Sequence, residues 1–390
     1  MAFFNPQRPS YLDDPYPALA RLREQEPVHF SPQLNAWLVT RYEHCVLVLH
    51  DHERFASDFR RVEAALAGGA SAEPGAEVPT HLVASDPPQH TRLRTLVATV
   101  FARNAVEGLR PFVERAVEGL LDGVEPGESF EVMSQLAGPL PSLVVAEQLG
   151  VPEEEREALR EQVKAVVAAE LPSANEQLRA AGESARELLA GRLDRYAAQG
   201  GGAIAQMATA GDQPLTRHEL FSVTVDLASA GIDSTSYLIA NGLLALLEHP
   251  EQLALLRERP ELTAGAVDEL CRFDSPTQAL PRIAAAETRL GGKRIRAGDT
   301  LYVMVGAANR DPEQFPDPDR LDIQREDRRH LSFALGAHFC VGAPLARLIG
   351  EVVMRALLDR FDRLSLVADG ATRRANFQLR GLSELWVVAG

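Results

Sequence analysis

Of the three cysteines, Cys45, Cys271 and Cys340, one stands where it can do chemistry. Cys340 lies in the run Phe333-Ala-Leu-Gly-Ala-His-Phe-Cys-Val-Gly-Ala-Pro-Leu-Ala-Arg347. Gly336 and Gly342 bracket it, so the backbone can turn tightly and approach a flat ligand with no Cβ in the way. An amphipathic pattern begins directly after the cysteine, with Pro344 in the first turn and Leu345, Leu348 and Ile349 continuing it. Unpaired N–H groups and the positive end of a helix dipole lower a thiol pKa and favour the metal-ligating thiolate. In isolation a buried structural cysteine is the commoner meaning. A zinc site using His338 and Cys340 lacks a second pair of ligands at metal spacing.

A second constellation, Ala230-Gly-Ile-Asp-Ser-Thr-Ser236, interrupts the apolar helical stretch between Leu220 and Leu247. Gly, Asp, Ser and Thr are poor interior helix residues, and their hydroxyls compete for backbone carbonyls, so a groove in the helix is predicted. Asp233 beside Ser234 and Thr235 puts an acid next to alcohols that can pass protons; a solvated patch or a kink is the plainer alternative. His90 and Arg94 lie one helical turn apart and can hold a common anion. Glu269 and Arg272 are an i,i+3 pair.

Two glycines, a histidine and a cysteine in one register make the Cys340 loop closely similar to the haem-binding loop of the cytochrome P450 family, F-x-x-G-x-H-x-C-x-G, in its soluble bacterial branch. It departs at Ala334, where the family commonly has Gly; a methyl group is expected to be tolerated there. The other motifs follow in the family's order, and the resemblance extends from Tyr11-Leu-Asp-Asp-Pro-Tyr-Pro to Arg380-Gly-Leu. It implies haem b on Cys340, the thiolate pushing electron density onto the iron. It makes His90, Arg94, Ala230, Gly231, Arg282, Phe333, Gly336, His338 and Gly342 cofactor-binding, with Phe333 shielding the sulfur and His90, Arg94, Arg282 and His338 reaching propionates. The family pattern A-G-x-[DE]-T places Gly231 on the oxygen side, Asp233 as the acid and Ser234 as the alcohol. Serine stands where threonine is usual and lacks the methyl that fixes its rotamer, which leaves Thr235 as an alternative hydroxyl.

By the same resemblance Glu269 and Arg272 are structural, tying their helix to the Pro-rich stretch beyond Asn309, and Thr277 to Leu280 line the pocket with Gln278 as polar handle. The implied activity is a monooxygenase acting on a small, largely apolar organic substrate. Electrons come from a ferredoxin or flavodoxin-type donor with its reductase, docking near Arg103, Arg110 and Arg347. A gas-binding sensor and a peroxide-driven oxygenase are the rivals, and a proton-delivering acid–alcohol pair speaks against both.

The elements that must position these residues read as mostly helical. Tyr11 to Glu26 suits a short helix, and Val28 to Thr40 alternates around Ser31-Pro32-Gln33 like a hairpin. The small-residue run between Val62 and Pro79 reads as a loop. From Gln89 to about Phe273 a 3.6-residue period dominates, punctuated by Pro and Gly. Then come β-prone pieces from Gly298, a Pro/Asp-rich loop from Asp311 to Asp322, one more helix, and terminal strands ending at Glu384-Leu-Trp-Val-Val. The expected fold is mainly α with small β-sheets at the two ends of the chain. The P450 resemblance adds haem buried between a long central helix and the cysteine-ligand loop.

At 390 residues, length alone suggests two or three domains, but the resemblance implies a single domain over residues 1–390. An apolar share of 45% with 24% charged residues supplies a core and argues against disorder. A net charge of −15 argues against nucleic-acid binding, which needs clustered Lys and Arg, although a local basic patch can still dock an acidic partner. Three cysteines with no CxxC pair suit a reducing cytoplasm. The N-terminus lacks a basic-then-apolar leader and no run is read as reaching the ~18 apolar residues of a membrane span, so a cytoplasmic protein without an anchor is expected; a monomer is the expected state.

Overall fold

The alternation from Val28 onward produces the antiparallel hairpin β1 (Val28–Ser31) and β2 (Ala36–Val39), which turns through Asn35 at φ 47°, a left-handed value that asparagine tolerates. The computed structural model describes residues 4–66, 81–170 and 174–390. β3 is Phe55–Ala56 and β4 is Ser129–Glu131. Beyond the helical body come β5 (Ala279–Ala284), β6 (Thr288–Leu290), β7 (Lys293–Ile295) and β8 (Thr300–Met304), then β9 (Leu364–Arg373) and β10 (Leu382–Ala389). The first sheet runs β1-β2-β8-β5-β3, with β2 and β8 parallel and the other neighbours antiparallel. Strands read as two separate ends of the chain thus join in one sheet. The second sheet, β4-β10-β9, recruits a strand from inside the helical body that periodicity did not reveal. The loop predicted between Val62 and Pro79 falls largely outside the described residues; Val62 itself lies in the helix Phe59–Leu66.

Four helices carry the site: α1 (Gln89–Val100), α2 (Arg217–Glu248), α3 (Thr263–Phe273) and α4 (Ala343–Arg360). α2 starts at a capping box in which Thr216 Oγ1 accepts from the Glu219 N–H while the Glu219 carboxylate accepts from the Thr216 N–H. Contrary to the predicted interruption, it runs unbroken for 32 residues. The Ser234 and Ser236 hydroxyls donate to the Ala230 and Ile232 carbonyls at 2.7 and 2.9 Å, so they share acceptors one turn back without opening the ladder. α2 also corrects the expectation about membrane spans, because its length and apolarity would suffice to cross a bilayer. Some 67% of its most apolar window is buried, and Val223, Val225, Ile239 and Leu243 are part of the main core. It is a core helix. Burial of each such side chain contributes roughly 1.5–3 kcal/mol.

The Pro/Asp-rich stretch forms no helix or strand and is held from α3. Arg272, 1% exposed, pairs with Glu269 at 2.7 Å and donates to the carbonyls of Asn309, Pro318 and Arg320 at 2.9, 2.8 and 3.1 Å. Glu269 accepts in turn from the Asp322 N–H at 3.0 Å and pairs with Arg325 at 3.2 Å. A loop with few backbone partners of its own is thereby fixed by one buried ion pair whose hydrogen-bonding capacity is fully used.

Candidate haem site

The loop ahead of α4 is shaped by its backbone. The Cys340 N–H donates to the Phe333 carbonyl at 2.7 Å, while Ala334 and Gly336 sit at φ 57° and 67°. A Cβ added at Gly336 would lie 2.9 Å from the Leu49 carbonyl oxygen, so this glycine is required by the turn. At Gly342 the nearest atoms are Phe101 Cε1 at 3.8 Å and Cys340 Sγ at 3.9 Å, which leaves room beside the sulfur. Ala334 is accommodated, but in a left-handed conformation that costs a non-glycine residue about 1 kcal/mol.

α4 begins at Ala343, as the pattern after the cysteine predicts, and its first N–H groups pull the thiol pKa down as expected, against an opposing effect of the surrounding protein. Burial among protein atoms pushes the Cys340 thiol above its ordinary value, outweighing the N–H groups of Gly342 and Ala343 and the cations of Arg94 and Arg347, which pull it down. The Cys340 side itself is open to the space beside the loop. A metal cation there would supply the charge that the helix start does not.

Beside this loop His90 of α1 and His338 stack with ring centroids 4.2 Å apart. Neither nitrogen of His90 nor Nε2 of His338 has a hydrogen-bond partner, although all three atoms are buried. Burial, reinforced by the nearby Arg94 and Arg282 cations, pushes His90 down to about 4 and His338 down to about 3. Arg282, from β5 and 6% exposed, donates to its neighbour's Pro281 carbonyl and is pushed down to about 10 by burial. Arg94, half-buried on α1, is lowered by burial as well. The Asp86 carboxylate, whose charge acts on both imidazoles and on Arg282, accepts from the N–H groups of Ser57 and Asp58 at 2.9 and 3.2 Å. Two guanidiniums and two imidazoles with orphaned nitrogens are an unbalanced cluster, since buried polar groups without partners cost about 1–3 kcal/mol each. A flat group bearing two carboxylates next to a thiolate ligand resolves it, so these residues fit haem.

On α2 the sequence motif coincides with the one break in burial. Residues 221–229 are buried or half-buried and residues 235–246 are buried, whereas Ala230 and Asp233 are exposed and Gly231 and Ser234 half-buried. A Cβ at Gly231 would come within 3.1 Å of Val145 Cγ2. Thr235 is 5% exposed and points away from this opening, leaving Ser234 as the hydroxyl beside it. Leu238 of α2, Val267 and Cys271 of α3, Ala346 of α4 and Phe333 pack into one cluster, which ties the central helix to the cysteine loop.

One expectation does not survive, and a second meets ion pairs already formed. Gln278 is not a handle in a pocket: its Nε2 donates to the Ser275 carbonyl at 2.8 Å and its Oε1 presses on Gly306, where a Cβ would lie 2.0 Å away. Ala279 and Leu280 are likewise taken up by packing. Of the three arginines assigned to electron-donor docking, Arg110 pairs with Glu107 and Glu351, and Arg347 with Asp268 at 2.7 Å. Among the described residues, Arg103 is exposed and forms no ion pair. Sequence reasoning passed over Asp268 and His330, whose only signals are their places beside Glu269 and three residues before Phe333.

A family model described as Cytochrome P450 matches residues 202–370. The chain is 35% identical over 397 residues to the polyketide biosynthesis cytochrome P450 PksS of Bacillus subtilis, covering 98% of this chain and 97% of that relative. It is 40% identical to the cytochrome P450 monooxygenase PikC of Streptomyces venezuelae, over 96% of this chain and 91% of PikC. It is 38% identical to the 6-deoxyerythronolide B hydroxylase of Saccharopolyspora erythraea, over 96% of each chain. The solved structure of PksS superposes with a TM-score of 0.89 at 34% identity, covering 99% of this chain and 100% of that one.

Proposed function

The chain belongs to the cytochrome P450 family, and from that premise we propose that Cys340 is the haem ligand, that Asp233 and Ser234 deliver protons, and that the substrate is a largely apolar biosynthetic intermediate. It is a haem-thiolate monooxygenase, an oxidoreductase that binds haem b and hydroxylates an organic substrate with electrons from a redox partner. The observation that carries the site assignment is the set of orphaned nitrogens on His90 and His338 beside Arg94, Arg282 and the Cys340 thiol.

When bound, haem supplies the redox chemistry that activates dioxygen. The chain's own groups do the rest. Cys340 Sγ would ligate the iron, Gly336 makes the turn that presents it, Gly342 would leave space for the ring, and Phe333 would cover the sulfur. His90, Arg94, Arg282 and His338 would pair with the propionates, giving the orphaned imidazole nitrogens partners. Ala230 and Gly231 keep the central helix thin where substrate and oxygen meet. The Asp233 carboxyl, open to solvent, takes up protons, and Ser234 Oγ passes them on, exchanging its bond to the Ala230 carbonyl as it does so. Thr235, buried, is not the relay. PksS is a polyketide biosynthesis enzyme by name, which favours a polyketide-type substrate here. A ferredoxin or flavodoxin-type donor, a monomeric state and a cytoplasmic location complete the reading.

The test is turnover of the holoprotein with ferredoxin, its reductase and NADPH under isotopically labelled dioxygen, on substrates preselected by ligand-induced spectral shifts. One labelled oxygen atom in the product is expected. Binding of gas without product would favour the sensor, and product formed only with added peroxide would favour the peroxide-driven enzyme.

A further inference from the structure

The family resemblance groups Arg347 with Arg103 and Arg110 as a docking residue, but its side chain already has partners. Nε donates to Asp268 Oδ1 at 2.7 Å, and the guanidinium lies over the Phe333 ring, 4.5 Å from its centroid. The same Asp268 oxygen faces His330 Nε2 at 3.3 Å, and the His330 and Phe333 rings lie 5.6 Å apart. Because His330 Nδ1 accepts from the Ser332 N–H at 3.3 Å, Nε2 carries the proton and donates to Asp268. Ser332 is itself fixed, donating to the Cys271 carbonyl at 2.7 Å and accepting from Asn309 Nδ2 at 2.9 Å.

This assembly reaches the cysteine by two routes. Phe333, gripped by Arg347 and His330, supplies the carbonyl that accepts the Cys340 N–H. Arg347 itself projects from the second turn of the helix that starts three residues after Cys340, so its cation is held next to the loop that carries the sulfur. A docking arginine on the rim works best when its head is free to meet a partner's carboxylate. Arg347 would have to abandon a stacked position and leave the Asp268 side chain, 15% exposed, without that partner.

We propose that Arg347, held by Asp268 and stacked on Phe333, is a positioning residue that keeps a fixed cation behind the Cys340 thiolate and thereby sets how readily the haem iron is reduced. The proposal rests on Cys340 being the ligand. Reduction adds negative charge to the haem–thiolate unit, so a nearby cation favours the reduced form and a nearby anion opposes it.

The experiment is redox titration of the holoprotein with Arg347→Gln, Arg347→Lys and Asp268→Asn, alongside stopped-flow reduction by a ferredoxin at several salt concentrations. Arg347→Gln is expected to shift the ferric–ferrous equilibrium about three- to ten-fold toward the ferric form, about 30–60 mV for a one-electron couple. Arg347→Lys keeps the cation and stays within two-fold of the parent. Asp268→Asn shifts the equilibrium the other way. If Arg347→Gln fails to retain haem, the sign for Asp268→Asn decides: a shift toward the ferric form, or none, overturns the proposal. An unchanged potential in Arg347→Gln, with a slower and less salt-dependent bimolecular reduction, overturns it in favour of docking. A parent protein lacking a thiolate-type carbon monoxide spectrum would instead remove the ligand assignment, a different and separable failure.

Discussion

The cysteine loop and the middle of α2, which we propose serve one reaction, are held under very different restraint. Around Cys340, left-handed backbone at Ala334 and Gly336, the bond from the Cys340 N–H to Phe333, and the Asp268–Arg347 pair fix the sulfur's surroundings from several sides. At Asp233 and Ser234 the side chains stand at the edge of an opening, and Ser234 is held through a carbonyl of its own helix. A ligand must be presented at a fixed angle and distance, which few backbone conformations achieve. A proton relay needs an acid and a hydroxyl within reach, which several residue types satisfy. That is why the loop keeps its pattern with one methyl added, while the helix motif admits serine for threonine.

This comparison breaks first at the brace. Arg272→Ala leaves the buried Glu269 with Arg325 as its remaining cation and frees three carbonyls of the Pro-rich stretch, a loss of about 3–5 kcal/mol against a typical total of 5–15. The protein is expected to lose most of its haem-loading capacity, read from haem absorbance per chain after denaturant titration; a stability loss below 1 kcal/mol would show that the brace does not hold the loop.

On α2 the expected loss is chemical and leaves the fold intact. Asp233→Asn should slow oxygenation by roughly 10²–10⁴-fold, the scale of general acid–base catalysis, with substrate-induced spectral shifts unchanged. Ser234→Ala should keep reduction running while peroxide escapes and product per NADPH falls, whereas Ser234→Thr should be tolerated. Measuring product, peroxide and NADPH together separates the two; full coupling in Ser234→Ala would transfer the relay to another hydroxyl or a water.

The smallest expected effect sharpens the contrast from the loop side. Ala334→Gly relieves a left-handed alanine and should stabilise the protein by about 0.5–1 kcal/mol, part of the gain being offset by glycine's greater freedom in the unfolded chain. Thermal unfolding of the holoprotein checks it, and a destabilised Ala334→Gly would mean that the methyl packs better than its backbone strain suggests.

The same contrast explains what could be read from sequence. The Cys340 loop carried a readable pattern because Gly336 answers a backbone requirement and His338, Cys340 and Gly342 stand at the spacing of the family's haem loop. The hairpin at Val28 and the terminal strands were legible through alternation. β4 was not, because three residues inside a helical body carry too little pattern, and the pairing of β2 with β8 depends on contacts over 250 residues that no local period records. The helix at Ala230 was misread as interrupted because propensity counts hydroxyls as breakers, while their side chains bond backward within the ladder. Gln278 was misplaced because a polar residue near a site is taken as facing the ligand, and only the tertiary structure reveals the Ser275 carbonyl that claims it; the Asp268 carboxylate beside Arg347 was hidden from the sequence in the same way.

Everything above depends on the sulfur of Cys340. The most direct measurement is the absorption spectrum of the reduced carbon monoxide complex for the parent holoprotein and for Cys340→His. A thiolate-type band in the parent, lost in Cys340→His with haem still partly bound, is the predicted result. An identical thiolate-type band in both proteins would contradict the account.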